Sequence, residues 1–198
     1  MTPTGGRYDL ICIGASWGGL RAVGDILVDL SDRVDVPIVV AQHRHPESSA
    51  GTLAQLLGAR IVRPVLEAED KLPIERGSVY LAPADYHLLV EPGRFALSLA
   101  ERVKHARPSI DVLFESVADA YSSAAIGIIL TGANDDGAAG LARIKQRGGV
   151  AIVQDPADAE RRAMPQAAIA ATVADAVLPL AEIGKFVYGL CVEVPVGG

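Results

Sequence analysis

The chain has 198 residues, a formal charge of −6, 50% hydrophobic residues and 21% charged ones. A chain of this length is expected to form one compact domain that buries about 70% of its unfolded surface and needs no disulfide or metal staple. The apolar content excludes a mostly disordered chain, and the acidic balance with dispersed Lys and Arg excludes a sequence-independent nucleic-acid binder or a polybasic membrane-surface segment.

Two cysteines, Cys12 and Cys191, are too few for a disulfide framework and form no C-x-x-C pair, so reduced thiols and a cytoplasmic setting are expected. No apolar run reaches the ~18–20 residues that span a bilayer, so no membrane insertion is expected. The N-terminus lacks the basic and apolar regions of a signal peptide. Residues 1–7 read as a disordered lead-in, 8–191 as a single domain and 192–198 as a tail.

The first strand is expected over Tyr8–Gly14, followed by the glycine-rich turn Ser16-Trp17-Gly18-Gly19 and a helix from Leu20 to about Leu30. The apolar residues of Pro37–Ala41 are consecutive, as in a strand covered on both faces. Ser48-Ser49 can cap a helix running to about Leu57. Strand–helix–strand–helix is the signature of a parallel sheet. Ile61–Arg63 and Ser78–Leu81 read as further extended segments. His87–Val90 and Phe95–Ser98, split by the turn Glu91-Pro92-Gly93-Arg94, read as an antiparallel hairpin added to that sheet. Pro108-Ser109-Ile110-Asp111 opens a helix to about Ser122. A central strand (Ala125–Leu130), a glycine-rich loop (Thr131–Gly137), a helix to about Arg147 and the strand Gly149–Val153 follow. A short helix at Pro165–Ala171, the strand Ala176–Leu178 and a helix from Ala181 to about Leu190 complete an α/β order.

Gly14-Ala15-Ser16-Trp17-Gly18 fits G-x-S-x-G, which can expose a serine hydroxyl on a tight strand-to-helix turn. The same residues fit a loop that cradles a phosphate at a helix N-terminus, or a turn without chemistry. His43 follows the second strand and belongs at its C-terminal end, where open α/β sheets place their ligand crevice. Asp135 and Asp136 lie in the loop after a third central strand, where either could instead cap the next helix. Together, Ser16, His43 and one of these aspartates have the types and placement of a Ser–His–Asp triad: nucleophile, base and orienting carboxylate. The chain order Ser, His, Asp differs from the Ser, Asp, His order of α/β-hydrolases. His43, His45, Asp135 and Asp136 suit a metal by type, but the spacing is a weak signal, and neither a metal nor another cofactor is expected. His87 and His105 have no evident partners and read as structural or surface residues. Trp17 either packs on the sheet edge or walls a substrate crevice.

At these residues the sequence resembles the catalytic domain of CheB-type protein-glutamate methylesterases of bacterial chemotaxis. The resemblance runs from Tyr8 to Leu190. It is carried by Ile13-Gly14-Ala15-Ser16-x-Gly18-Gly19, Gln42-His43, Leu81-Ala82-Pro83 with His87-Leu88, Arg107 to Phe114, Leu130-Thr131-Gly132 with Asp136-Gly137-Ala138-x-Gly140, Gln154-Asp155-Pro156, and Met164-Pro165. It implies a doubly wound, mostly parallel sheet with an antiparallel hairpin at one edge, in a Rossmann-like three-layer arrangement. The implied triad is Ser16, His43 and Asp136, the last selected over Asp135 because it directly precedes Gly-Ala, with a backbone oxyanion donor at Ala133.

The implied reaction is hydrolysis of γ-glutamyl methyl esters on a methylated chemoreceptor or other signalling protein, with glutamine deamidation as a further activity. Trp17, Ala133-Asn134 and Arg44-His45-Pro46 depart from the family pattern and alter the walls of the site. Family members often carry an N-terminal receiver domain. None is expected here, which leaves regulation to a separate protein. The alternatives are a non-enzymatic, flavodoxin-like phosphate- or nucleotide-binding module, or a catalytic domain recruited as an interaction partner in another signalling array.

Overall fold

The computed structural model describes residues 7–30, 33–45, 47 and 51–192. Strand β1 (Leu10–Ala15), helix α1 (Gly19–Leu30), β2 (Ile38–Gln42), α2 (Thr52–Gly58), β3 (Val65–Glu67) and β4 (Val79–Leu81) form the first half. A hairpin of β5 (His87–Glu91) and β6 (Arg94–Ser98) follows. Then come α3 (Ile110–Tyr121), β7 (Ala125–Ile129), α4 (Ala138–Gln146), β8 (Val150–Gln154), α5 (Ala163–Ala171), β9 (Ala176–Leu178) and α6 (Leu180–Cys191).

Seven strands form one parallel sheet in the order β3-β4-β2-β1-β7-β8-β9. The chain winds one way from β1 through β2 and then the other way from β7, so β1 is flanked by the two strands at which the order reverses. Ile13 pairs with Val40 on one side and Ile128 on the other. The consecutive apolar residues of β1 alternate between two cores because both faces of the sheet are covered. Leu10 and Cys12 join the core beneath α3, α4, α5 and the hairpin, whereas Ile11, Ile13 and Ala15 join the core beneath α1 and α6. Helix α1 buries Ala22, Val23, Ile26, Leu27 and Leu30, one helical stripe, against a layer that includes Ile183 and Val187 of α6. A fully buried Ile or Leu of this kind contributes about 1.5–3 kcal/mol of transfer free energy.

The expected doubly wound parallel sheet and antiparallel hairpin are both present. The hairpin pairs as its own two-stranded sheet, with His87 opposite Ser98 and Glu91 opposite Arg94. It packs under α3, and Phe95 meets Tyr80 of β4 edge-on, with ring centroids 4.8 Å apart.

Ile61–Arg63 forms no strand; the pairing strand begins at Val65. Val62 is 91% exposed, and the buried Arg63 turns its guanidinium inward to the carbonyls of Val36 and Gly77. Its polar anchoring overrides the β propensity of the segment. The proposed Ser48-Ser49 cap lies outside the described residues, as do 1–6 of the lead-in and 193–198 of the tail. Helix α2 begins after Gly51, whose φ of 77° is left-handed and which makes no side-chain cap. Cys12 is buried and Cys191 partly so, and neither is in a disulfide. Among the described residues no helix is long and apolar enough to cross a membrane.

Candidate active site

Strands β2, β1 and β7 are adjacent, so the loops leaving their C-terminal ends converge. Ser16 follows β1, and its N–H donates to the Thr131 carbonyl beyond β7 at 3.0 Å. His43 follows β2, and its N–H donates to the Ala15 carbonyl at 3.0 Å. The sheet ladder thus continues one residue past its edge and fixes both backbones. Gln42 braces them further, donating from Nε2 to the carbonyls of Ser16 (2.7 Å) and His43 (3.1 Å).

Between Ser16 and the first turn of α1, Gly18 adopts φ +77°, a conformation that the turn requires and that L side chains rarely take. Across the crevice, a Cβ on Gly132 would lie 3.0 Å from the Ser16 Cβ and 2.0 Å from the Met164 sulfur. Glycine there lets the β7 loop close against the serine.

The three sequence-selected side chains form one hydrogen-bonded chain. Ser16 Oγ lies 3.2 Å from His43 Nδ1, and His43 Nε2 lies 2.7 Å from Asp136 Oδ2. Asp136 is fully buried and the His43 side chain is 14% exposed, so little water competes for the pair. Asp135 points away: its exposed carboxylate pairs with Lys104 at 3.2 Å.

The Asp136 carboxylate accepts far more than the histidine. Oδ1 takes the Ser109 hydroxyl at 2.8 Å and the Asp111 N–H at 3.0 Å, and Oδ2 takes the Ile110 N–H at 2.7 Å. Ile110 and Asp111 open α3, so the carboxylate occupies the positive end of that helix. Burial works to raise the Asp136 pKa. The hydrogen bonds from His43, the Asp111 and Ile110 amides and Ser109 outweigh burial and hold the pKa below the usual carboxylate value. The carboxylate is thus fixed in its charged form.

Sequence reasoning left Ser109, Asp111 and His87 out of the site. Ser109 is read correctly as a helix opener, but its hydroxyl also serves Asp136. His87 is 1% exposed; its Nδ1 accepts the Ser109 N–H at 3.2 Å, and its Nε2 lies 2.9 Å from the Glu101 carbonyl. It therefore has partners, and they hold Ser109 in place. His105 stays exposed on a turn. Among the described residues, no group of three or more His, Cys, Asp or Glu side chains could hold a metal, and His45 sits apart beside Glu47 at 4.0 Å.

Two backbone N–H groups near the serine, those of Trp17 and Ala133, make no hydrogen bond among the described residues. Trp17 is 60% exposed; its Nε1 donates to Glu160 at 2.9 Å, and the Arg161 guanidinium stands 5.4 Å above its ring. Its ring is thus held at the surface by Glu160 and Arg161 rather than packed on the sheet edge.

A buried carboxylate, an imidazole and a hydroxyl joined in series can deprotonate the hydroxyl and stabilise the resulting imidazolium, the requirement of acyl transfer through a serine. A doubly wound sheet with such a constellation at its switch point defines a serine-hydrolase class of site. The family model for CheB methylesterase matches residues 11–187, and this chain belongs to the CheB methylesterase family.

A crystal structure of the Thermotoga maritima CheB methylesterase catalytic domain superposes with a TM-score of 0.87 and 34% identity, over 92% of this chain and 98% of that one. A relative from Leptospira interrogans is 47% identical over 180 residues, covering 90% of this chain and 93% of its own length. Protein-glutamate methylesterase/protein-glutamine glutaminase 1 of Hahella chejuensis is 43% identical over 191 residues. Protein-glutamate methylesterase FrzG of Myxococcus xanthus is 40% identical over 178 residues. The chain covers about half the length of these last two, 52% and 53%.

Proposed function

We propose that this chain hydrolyses γ-glutamyl methyl esters on a methylated signalling protein, with Ser16 as nucleophile, His43 as general base and Asp136 as the orienting carboxylate. The observation that carries the proposal is the continuous Ser16–His43–Asp136 hydrogen-bond chain across the loops that follow three adjacent strands. The names of the Hahella and Myxococcus relatives supply the substrate class.

Ser16 Oγ attacks the ester carbonyl while His43 Nδ1 takes its proton. The imidazolium keeps its Nε2–H on Asp136, whose charge stabilises it. The developing oxyanion draws on the free N–H groups of Ala133 and Trp17. Collapse of the tetrahedral intermediate breaks the C–O bond to methoxide, which leaves as methanol with the proton from His43. Water then attacks the acyl-serine with His43 again as base, releasing a glutamate carboxylate and restoring Ser16. A glutamine side chain fits the same sequence with ammonia as the leaving group.

The test is incubation with a methylated receptor signalling domain, followed by mass spectrometry. Loss of methyl groups that depends on Ser16 supports the reading; unchanged methylation contradicts it. The phosphate-loop reading has less support. The Gly19 N–H, which a phosphate would need, donates to the Ser16 carbonyl at 2.9 Å, and that reading leaves the buried His43–Asp136 pair without a role.

A further inference from the structure

One peptide group at the site is held so that only one of its polar atoms stays free. The Ser16 carbonyl accepts from Gln42 Nε2 at 2.7 Å and from the Gly19 N–H at 2.9 Å. Two donors fill the two lone pairs of a carbonyl oxygen. The Ser16–Trp17 peptide is trans, since the only cis peptide bond among the described residues is Arg107–Pro108. In a trans peptide the C=O and N–H of one group point in opposite directions. Fixing the Ser16 carbonyl therefore fixes the Trp17 N–H.

The strand order gives the direction. Gln42 ends β2 on one side of β1, and the loop through Gly132 and Ala133 follows β7 on the other. With the carbonyl held from the β2 side, the Trp17 N–H is turned toward the β7 side, which also carries the free Ala133 N–H. The next peptide is clamped from that side. Thr131 Oγ1 donates to the Trp17 carbonyl at 2.9 Å and accepts the Arg161 N–H at 2.8 Å.

The Gln42 amide is committed to this hold. Its Nε2 reaches the carbonyls of Ser16 and His43, and a reversed amide would press Oε1 against two carbonyl oxygens. In the orientation it takes, Oε1 is buried without a hydrogen-bond partner among the described residues. A buried acceptor left unpaired is unfavourable and uncommon in folded proteins. The turn also makes room for this amide. Gly19 has no positive φ, so its backbone does not require glycine, yet a Cβ there would collide with Gln42 Oε1 and stand 2.7 Å from the Ala15 Cβ.

We infer that Gln42 is a positioning residue for acyl transfer: by gripping the Ser16 carbonyl, it aims the Trp17 N–H at the oxyanion that forms on the substrate. The donor is then preorganised, and no reorientation is left to the moment of reaction. The inference rests on the acyl-transfer reading of Ser16 and adds the side chain that sets one of its two oxyanion donors.

The test pairs kinetics with amide NMR. Gln42→Met keeps the side-chain length and removes both N–H donors. Its kcat on a glutamyl methyl ester peptide should fall about 10–10²-fold, with KM within about twofold of the native value, because only the transition state uses the aimed N–H. A peptidyl trifluoromethyl ketone then reports the donors one by one. Ser16 Oγ adds to its carbonyl carbon, the serine proton passes to His43, and the carbonyl oxygen becomes an alkoxide. In the native adduct the amide protons of Trp17 and Ala133 should both move downfield. In the Gln42→Met adduct the Ala133 shift should remain and the Trp17 shift should be lost, whereas a merely structural defect would weaken both or neither. Gln42→Glu, with oxygen in place of Nε2, should repeat this pattern. An unmoved Trp17 amide in the native adduct, an equal Trp17 shift in the variants, or a raised KM with kcat unchanged would each overturn the inference. An adduct without ester hydrolysis sinks the methylesterase reading alone, and the spectra still decide the role of Gln42. No adduct on Ser16 overturns both.

Discussion

Asp136 and Asp111 cap each other's helices. Asp136 immediately precedes the Gly137 cap of α4, yet its carboxylate accepts the first N–H groups of α3. Asp111 sits in the first turn of α3, yet its Oδ1 accepts the Gly137 and Gly140 N–H groups of α4 at 2.9 and 2.8 Å. This exchange ties two helix N-termini together and fixes Asp136 from behind, so that one lone-pair direction of Oδ2 remains for His43.

Asp136→Asn should lower turnover about 10³–10⁴-fold with the fold retained, because His43 loses the charge that stabilises its protonated form. Asp135→Asn should change it only a few-fold, since that carboxylate faces Lys104 and solvent. Steady-state rates on a glutamyl methyl ester check both; equal losses would place the orienting role elsewhere in the loop.

The depressed pKa of Asp136 makes a prediction about acid stability. A carboxyl held below its unfolded value stabilises the fold above the unfolded pKa, near 3.9, and the contribution vanishes as pH falls through the folded value. The native chain should therefore exceed Asp136→Asn in urea midpoint at pH 7, and the gap should narrow below about pH 4. A gap that stays constant between pH 7 and pH 3 would show that the carboxylate's charge contributes nothing to stability.

Ser109→Ala removes both the α3 cap, a 3.4 Å acceptor for the Val112 N–H, and a donor to Asp136. The expected cost is about 1–2 kcal/mol of stability, with turnover lowered by roughly tenfold or less because two amides and His43 still hold the carboxylate. Thermal unfolding and kcat of the same preparation check the two effects.

His43 engages the serine through Nδ1 and the aspartate through Nε2, the reverse of the chymotrypsin arrangement. For Nδ1 to accept the Ser16 proton, the neutral ring must carry its own proton on Nε2. Nitrogen-15 NMR of the imidazole should therefore show a pyrrole-type Nε2 and a pyridine-type Nδ1 in the neutral state. The opposite tautomer would leave the serine without a base.

Much of this architecture was legible in the chain order. Consecutive apolar runs at β1, β2 and β7, each followed by a polar or glycine-rich turn, placed Ser16, His43 and the Asp135-Asp136 pair on one sheet edge, and the family resemblance then selected Asp136. What surrounds Asp136 was not legible. Its donors come from 25 to 27 positions away in sequence, and nothing local distinguishes a serine that caps a helix from one that also serves a distant carboxylate. His87 was hidden for the same reason: its two partners are set by how the hairpin packs under α3. At Ile61–Arg63 a β-prone run misled, because strand pairing is decided by neighbours across the sheet, and those neighbours meet Val65–Glu67 instead.

The central claim is that Ser16 carries the acyl group. Acid-quenching the chain during turnover of a glutamyl methyl ester peptide and mapping its fragments by mass spectrometry tests this directly. The account predicts an adduct of the peptide's acyl mass on the fragment containing Ser16, absent in Ser16→Ala together with at least ~10³-fold of the turnover. An adduct on another residue, or turnover that survives Ser16→Ala, would contradict it.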